Sequence, residues 1–117
     1  MCIKDESNTR VTFDQKDMFI HQVYFWLKNR ESEEDKQMLI DGLKKLTQAP
    51  TIMKHYIGEP AQTRRDVIDS SYQVSWLLFF ETASDQDIYQ TDPIHLTFVK
   101  ECSSLWEKVI VYDSVVS

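Results

Sequence analysis

The sequence predicts an α+β fold whose elements follow the order β-α-β-β-α-β. Four runs of the chain are rich in β-branched and aromatic residues, which is typical of strands. The regions between them carry helix-start signals and apolar residues at helical spacing. The chain has 117 residues, of which 42% are hydrophobic, and it has only two glycines and three prolines. This composition is sufficient for one folded domain with one hydrophobic core.

The strongest strand signal is the run MFIHQVYFWLK at residues 18–28. Both alternating sets of side chains in it are largely apolar, whereas a sheet with one face in water has polar residues at every second position. We therefore expect both faces of the sheet to be covered. One face would carry Phe19, His21, Val23, Phe25 and Leu27, and the other Ile20, Gln22, Tyr24 and Trp26.

The first helix is predicted to begin at Ser32, a typical N-cap residue. Acidic side chains follow at 33–35, where they interact favourably with the positive end of the helix dipole. Leu39, Leu43 and Leu46 then recur at helical spacing and form one apolar stripe. This helix is explained by packing alone.

The remaining elements are two strands, a second helical region and a closing strand. The strands are predicted at 51–57, 71–81 and 106–116, and the helical region begins at Thr82 and is interrupted at Asp92-Pro93. Residues 59–70 form a polar loop longer than a hairpin needs, which is typical of a functional or mobile segment. Arg64 and Arg65 in this loop either grip an anionic ligand or are a solvated pair of charges.

This order of elements is the ferredoxin-like βαββαβ arrangement, with two helical regions on one face of a four-stranded antiparallel sheet. The other face is apolar and would be bare in a single subunit, which a monomer rarely tolerates. We therefore expect a homodimer in which two sheets pack face to face about a two-fold axis. The domain is predicted to span 18–117. Residues 1–17, with Val11 and Phe13 alternating with polar residues, would be either a mobile arm or an added edge strand.

Composition excludes several classes of function. The formal net charge of −6 and the lack of a Lys/Arg cluster argue against nucleic acid as a partner. No apolar run reaches the roughly 18 residues of a membrane span, and the polar N-terminal sequence does not resemble a signal peptide, so we expect a soluble cytoplasmic protein. Cys2 and Cys102 lie in no metal-binding motif, and two free thiols are favoured over a disulfide.

Several segments together resemble the stress-responsive dimeric α/β-barrel domain (Dabb) family. They are the histidine in the first strand (IHQVYFWLK), the Ser-Glu-Glu helix start, the Gly58 turn, the segment YQTDPIHLTF, and the closing strand ending in VYD. The segment YQTDPIHLTF is similar to the family pattern "Y…HPAHxxF", with Asp92 in place of the first histidine. The resemblance covers residues 18–115. It implies a ferredoxin-like subunit that pairs into a closed dimeric barrel, with a small pocket between sheet and helices near His21 and His95.

One plant polyketide-cyclase branch of this family catalyses an intramolecular aldol condensation with histidine and tyrosine, without a cofactor. His21, Tyr89 and His95 match pocket positions of that branch. The third-strand histidine of the branch falls on Val74 here, and its first-helix tyrosine falls on Leu43. These departures favour binding over catalysis.

The candidate ligand-binding residues are therefore His21, Val74, Tyr89, His95 and Phe98, and the candidate catalytic residues are His21, His95 and Tyr89. His21 is either a core histidine, bonded to a backbone carbonyl or to His95, or a base that lines a pocket. Asp92 can cap a helix that begins at Pro93, which places His95 at a helix start. His95 is then either a helix-start residue that packs inward or a general acid/base partner of His21 or of a ligand. The histidines have no spacing typical of a metal site, so we predict no metal and no cofactor.

Two main hypotheses on function follow. The first is a homodimer that binds a small apolar or aromatic molecule without turnover. The second is a cofactor-free cyclase- or isomerase-like enzyme acting on a polyketide-like or aromatic substrate. A third, a monooxygenase, rests on analogy of fold alone.

Overall fold

The computed structural model describes residues 16–117. Its elements are β1 (Phe19–Leu27), α1 (Glu33–Leu46), β2 (Lys54–Gly58), β3 (Val74–Phe80), α2 (Ala83–Thr91), α3 (Pro93–Cys102), a short 3-10 turn (Ser103–Leu105) and β4 (Trp106–Val115). The predicted order is confirmed, with the second helical region divided into α2 and α3. Residues 1–15, including Cys2, lie outside the described part of the chain. The choice between an arm and an edge strand, and the boundary at 18, therefore stay predictions.

The four strands form one antiparallel sheet in the order β2-β3-β1-β4. This is the ferredoxin-like arrangement, and the predicted fold class is confirmed. Strand β2 begins three residues later than predicted, at Lys54. The N–H of the preceding residue, Met53, still donates to the carbonyl of Phe79 (2.9 Å). Strand β3 begins at Val74, three residues later than predicted. The preceding residue, Gln73, still donates its backbone N–H to the Phe25 carbonyl (2.9 Å), and its side chain accepts a hydrogen bond from the backbone N–H of Leu27 (2.8 Å).

One face of the sheet packs against the helices and holds the hydrophobic core. Ser32 caps α1 as predicted: its hydroxyl accepts a hydrogen bond from the backbone N–H of Asp35 (3.0 Å). The cap fixes the start of α1, and its leucine stripe then faces the sheet. The buried residues of this closed face include Val23, Phe25, Leu27, Val74, Trp76, Leu78 and Phe80 from the sheet, and Leu39, Leu43, Leu46, Tyr89, Phe98 and Cys102 from the helices.

Helices α1 and α3 approach closely at Gly42. A Cβ atom at this position would lie 2.5 Å from the Cys102 Sγ and 3.4 Å from the Phe98 ring. Glycine is therefore required for this contact, although it lowers helix propensity. Cys102 is a free, buried thiol at the same place.

The other face of the sheet, called here the open face, is not covered by any helix within residues 16–117. Its side chains are only partly buried or exposed: Ile20, Gln22, Tyr24, Leu77, Phe79, Ile110 and Tyr112. The Tyr24 ring makes edge contacts with Tyr72 (4.9 Å between centroids) and with Tyr112 (6.1 Å). The sequence therefore predicted correctly that this face is apolar and aromatic, and the described part of the chain leaves it uncovered.

Trp26 is the exception on the open face, because it is 5% exposed. Its Nε1–H donates to the Ser71 hydroxyl (2.9 Å), and the Lys108 ammonium lies 4.4 Å from its ring centroid. The indole is thus covered by its own neighbours.

None of the helices within residues 16–117 is long and apolar enough to cross a membrane.

Candidate functional site

His21 on the central strand β1 and Asp113 on the edge strand β4 are paired. They are direct neighbours in the β1–β4 register and point to the closed face. The His21 Nδ1 lies 2.6 Å from the Asp113 Oδ1, and the side chains are 7% and 43% exposed, respectively. Because a carboxylate only accepts hydrogen bonds, Nδ1–H of His21 is the donor. In the neutral ring the lone pair is then on Nε2, which is the nitrogen able to accept a proton.

Tyr89 on α2 is the next group, with its ring centroid 6.1 Å from that of His21. It is 2% exposed, and its hydroxyl oxygen accepts a hydrogen bond from the Trp76 Nε1–H (3.3 Å). Burial raises the pKa of Tyr89 to about 12. The phenol is therefore neutral at physiological pH, and its O–H is a potential donor.

His95 on α3 continues the row, with its ring 4.6 Å from that of Tyr89. The start of α3 positions it: Pro93 is in the first turn, and the Asp92 carboxylate accepts from the Ile94 N–H (2.8 Å), the cap predicted from the sequence. The His95 Nδ1 lies 3.2 Å from the Gln90 carbonyl, so it is the donor and Nε2 carries the lone pair of the neutral ring.

Burial lowers the pKa of His95 below its ordinary value of 6.5, and the nearby His21 acts in the same direction. The hydrogen bond to Gln90 and the charge of Asp92 oppose this shift. His95 is half-buried and neutral at physiological pH.

Three of the predicted site residues thus form one row of rings, His21–Tyr89–His95, called here the histidine–tyrosine row. Each imidazole has its Nδ1 held by a fixed acceptor, Asp113 or the Gln90 carbonyl. Their Nε2 atoms and the Tyr89 hydroxyl are the groups that can exchange protons or hydrogen bonds with a ligand. This set of groups is suited to acid–base chemistry or to binding a polar group in apolar surroundings.

The other two predicted ligand-binding residues lie in a different part of the fold. Val74 is fully buried opposite Phe25 in the β1–β3 register, four residues along β1 from His21, or about 13 Å at ~3.3 Å per residue. Phe98 packs against the rings of Phe25 (6.3 Å) and Trp106 (5.8 Å). The structure therefore brings together His21, Tyr89 and His95, and places Val74 and Phe98 at the opposite end of the sheet.

A groove between α1 and α3 lies beside Phe98. Its volume is about 340 Å³, at the lower end of the range of small-molecule pockets, roughly 300–1,000 Å³. It is lined by Gly42, Lys45, Leu46, Gln48, Pro93, Ile94, Thr97, Phe98 and Glu101. Phe98 is thus the one predicted site residue in this groove, and the histidine–tyrosine row is not part of its lining.

Sequence reasoning missed Asp113 as a partner of His21, although the VYD ending of the last strand was noted. One signal was present in the sequence. Asp113 belongs to the same alternating set as Val109, Val111 and Val115, so it is a carboxylate on an otherwise apolar face. A polar residue in such a position generally has a partner.

No group of three or more histidine, cysteine, aspartate or glutamate side chains within residues 16–117 could hold a metal ion. His55 is separate from the histidine–tyrosine row. It is exposed on β2, and its ring stacks on that of Trp76, with 6.1 Å between centroids and 27° between planes.

Several solved structures share this fold. A hydroxynitrile lyase from Passiflora edulis is 20% identical, with a TM-score of 0.73 over 87% of this chain and 95% of the lyase. A Dabb family protein with a ferredoxin-like fold from Mesorhizobium loti is 22% identical, with a TM-score of 0.71 over 86% and 97% of the two chains. A dimeric ferredoxin-like protein of unknown function from Thermobifida fusca is 13% identical, with a TM-score of 0.70 over 94% and 100%. At these identities the likeness shows the fold alone.

None of the curated proteins compared with this sequence is significantly similar to it. The stress-responsive A/B barrel domain model, by contrast, matches residues 19–116. This match begins at the first residue of β1 and ends one residue after β4, so it covers every strand and helix of the structure. The chain therefore belongs to the stress-responsive A/B barrel domain (Dabb) family.

Proposed function

We propose that the protein binds a small apolar or aromatic molecule that carries a carbonyl or hydroxyl group, with the polar group held at the histidine–tyrosine row. The observation that carries this proposal is the row itself, in which His21, Tyr89 and His95 lie ring to ring in an apolar part of the fold. Specific pockets commonly combine apolar walls with a few convergent polar groups. Val74 and Phe98 are proposed contacts for the apolar part of a ligand long enough to extend along the sheet.

The same proposal includes a homodimer formed through the open face. The sheet has apolar and aromatic side chains on both faces, but the helices cover only one of them. Exposed patches of this kind are typical of protein–protein contacts, and a self-complementary patch on a two-fold axis is the simplest way to bury this one. The Thermobifida fusca neighbour is described as dimeric, which supports the proposal.

Binding can be tested with acetophenone, an aromatic ketone, and with ethylbenzene, which has the same ring and chain length but no carbonyl. If the row holds the carbonyl through the Tyr89 O–H, the wild-type protein binds acetophenone at least about fivefold more tightly than ethylbenzene, since losing one hydrogen bond to a buried group costs roughly 1–3 kcal/mol. Tyr89→Phe should remove this preference, because the Tyr89 O–H is the group of the row that can donate to a ketone. Calorimetry or ligand-observed NMR measures the affinities.

Tyr56→Phe is the matched control, because it removes an exposed phenolic hydroxyl outside the row. Equal affinity of wild type and Tyr89→Phe for the ketone would contradict the proposal. So would a loss of preference in Tyr56→Phe as large as that in Tyr89→Phe.

A second function, a cofactor-free acid–base enzyme, is favoured by one specific observation. The 2.6 Å contact between Asp113 and His21 Nδ1 fixes the tautomer that leaves Nε2 as a base, and a carboxylate stabilises the imidazolium that forms when this base takes a proton. In this mechanism His21 Nε2 removes a proton from carbon next to a carbonyl. The electron pair moves to the carbonyl oxygen, which accepts a hydrogen bond from the Tyr89 O–H.

The enzyme hypothesis has its own test, the exchange of the acetophenone methyl hydrogens for deuterium in heavy water, followed by NMR. We expect wild type to exceed the buffer rate, and Asp113→Asn to reduce the enzyme-dependent rate by roughly a hundredfold or more, the usual scale of general-base catalysis. Asparagine keeps the size of the side chain but not its charge. If wild type binds the ketone and does not accelerate the exchange, the binding function stands and the enzyme hypothesis fails.

A further inference from the structure

A second cavity lies in the loop between β2 and β3, away from the histidine–tyrosine row. The loop leaves the sheet at Gly58, which pairs with Ser75, three residues along β3 from the Leu78 that faces His21. The cavity has a volume of about 810 Å³, within the range of small-molecule sites. It is lined by Glu59, Pro60, Ala61, Gln62, Thr63, Arg64, Arg65, Asp66, Ile68 and Ser70.

Both ends of the loop are tied to the rest of the domain. At its start, the Glu59 carboxylate accepts from the Lys36 ammonium of α1 (2.9 Å). At its end, the Asp69 carboxylate accepts from the backbone N–H (2.9 Å) and hydroxyl (2.6 Å) of Ser71, and this hydroxyl in turn accepts from the Trp26 indole (2.9 Å). The loop is therefore anchored to α1 and to the buried tryptophan of β1.

The middle of the loop is a tight turn that carries the two arginines. The Ile68 N–H donates to the Arg65 carbonyl (2.9 Å), which closes the turn. Arg64 and Arg65 lie at its start, and both line the cavity. Because the turn is hydrogen-bonded, less backbone freedom is lost when both arginines bind one ligand.

Two acidic residues, Glu59 and Asp66, line the cavity together with the arginines. The Glu59 carboxylate is paired with Lys36, whereas the Asp66 carboxylate offsets part of the positive charge of the lining without pairing with either arginine. Neither Arg64 nor Arg65 forms an ion pair or side-chain hydrogen bond with any part of the chain within residues 16–117. Arg64 and Arg65 are adjacent in the sequence, and both line this cavity of ligand size. Hydroxyl and amide groups from Thr63, Ser70 and Gln62 belong to the same lining. Such a set of donors is suited to an oxyanion.

We propose that the 59–70 loop is a second binding site, which holds the phosphate or carboxylate group of an anionic small molecule between Arg64 and Arg65. The net charge of the chain is −6, so long-range attraction does not bring the anion to the protein. Binding then depends on short-range, charge-assisted hydrogen bonds, and it weakens as salt rises. The arginines are exposed, so the expected affinity for a simple anion is in the millimolar range.

The test is a titration of the full-length protein with inorganic phosphate, and separately with acetate, at constant ionic strength and pH, followed by the backbone amide NMR spectrum. We expect saturable shifts of the amides of 59–70, and no corresponding shifts at His21, Tyr89 or His95. The double variant Arg64→Gln/Arg65→Gln should weaken binding at least about tenfold, because charge-assisted hydrogen bonds are among the stronger ones. The relative affinities of phosphate and acetate identify the anion that the site prefers.

Lys44→Gln is the matched control, since it removes one positive charge from the exposed side of α1 and leaves the loop unchanged. This variant should bind as wild type does. Loop shifts that do not saturate, or that occur equally in the double arginine variant, would show non-specific screening and overturn the proposal. An absence of loop shifts with both anions would overturn it as well. None of these outcomes depends on ligand binding at the histidine–tyrosine row.

Discussion

Leu77 and Leu78 are adjacent in β3, yet they are in two different environments. Leu78 is 0% exposed on the closed face, beneath the helices and opposite His21 in the register. Leu77 is only partly buried on the open face, opposite Gln22 and Tyr56. A leucine side chain therefore contributes to the core of the subunit at position 78, whereas at position 77 it is available for contact with another protein chain.

The polar groups of the two faces differ in the same way. On the closed face, burial shifts the proton equilibria, as the raised pKa of Tyr89 and the lowered pKa of His95 show. On the open face, the Tyr24 hydroxyl donates to the neighbouring Gln22 side chain (3.1 Å), a contact within the same strand. The groups suited to chemistry thus lie on the face that the helices cover, and the groups suited to assembly lie on the face that residues 16–117 leave open.

The largest expected effect is that of Leu78→Ala. Truncating a fully buried leucine removes its transfer free energy and leaves a cavity, which typically costs about 2–5 kcal/mol of the free energy of unfolding. Urea denaturation followed by tryptophan fluorescence measures this change. Because Leu78 lies inside one subunit, the difference between wild type and variant should not depend on protein concentration.

Leu77→Ala is the matched variant on the open face. Within one subunit it should cost less than Leu78→Ala, because the side chain is already partly exposed. If two copies pair through this face, its effect grows with protein concentration and the apparent mass falls on dilution. If both variants lose the same free energy of unfolding, at every protein concentration, the proposed difference between the two faces is contradicted.

The second prediction concerns Tyr89 at alkaline pH. An unfolded tyrosine loses its proton near pH 10.0, whereas the buried Tyr89 keeps its proton up to about pH 12. Stability from this group is therefore fully present below pH 10.0 and is lost as pH rises towards 12, by up to about 1.4 kcal/mol per pH unit. Tyr89→Phe should make the free energy of unfolding fall less steeply above pH 10.0.

Tyr72 gives the control for this alkaline effect. Burial also raises the pKa of Tyr72, but it is less deeply buried than Tyr89. Tyr72→Phe should therefore flatten the pH dependence less than Tyr89→Phe does. A wild-type slope that neither substitution changes would contradict the assignment.

The third prediction concerns the contact of α1 with α3. Gly42→Ala should lower the free energy of unfolding by about 1 kcal/mol, because overpacking against Cys102 costs more than the gain in helix propensity, itself roughly 1 kcal/mol. In a Cys102→Ala background the space is open, so the same change should become stabilising. Thermal or urea denaturation of the four proteins measures this coupling. Additive effects of the two substitutions would show that the Sγ contact is not the cause.

The sequence was most informative where the signal is local. The alternation in β1 predicted both faces of the central strand, and the caps at Ser32 and Asp92 are as predicted, because each depends on residues within one turn. The length of β3 was overestimated, since the strand spans Val74–Phe80 and not 71–81. The hydrogen bond between the Gln73 side chain and the Leu27 N–H joins residues 46 positions apart. Local patterning contains no information about such a contact.

The candidate site was predictable in part for the same reason. His21, Tyr89 and His95 were identified from short segments, and the fold brings their rings into one row. Asp113 is identified as the partner of His21 only from the β1–β4 register, in which these two residues are neighbours although they are 92 positions apart in the sequence. The location of Val74 likewise depends on the register with β1, which the sequence does not specify.

The smallest expected effect, and the closest test of the closed face as an environment for chemistry, concerns His95 at acidic pH. Its pKa is lowered chiefly by burial, so the folded state binds the proton less readily than the unfolded chain does. Stability should therefore be unaffected above the ordinary value of 6.5 and should decrease as pH falls below it. His95→Asn keeps a donor for the Gln90 carbonyl but cannot titrate, and it should flatten this dependence. The matched variant His55→Asn removes an exposed histidine and tests whether the flattening is specific to His95. If the two variants flatten the acid limb equally, His95 has no special environment, and the difference between the two faces then lies in packing alone.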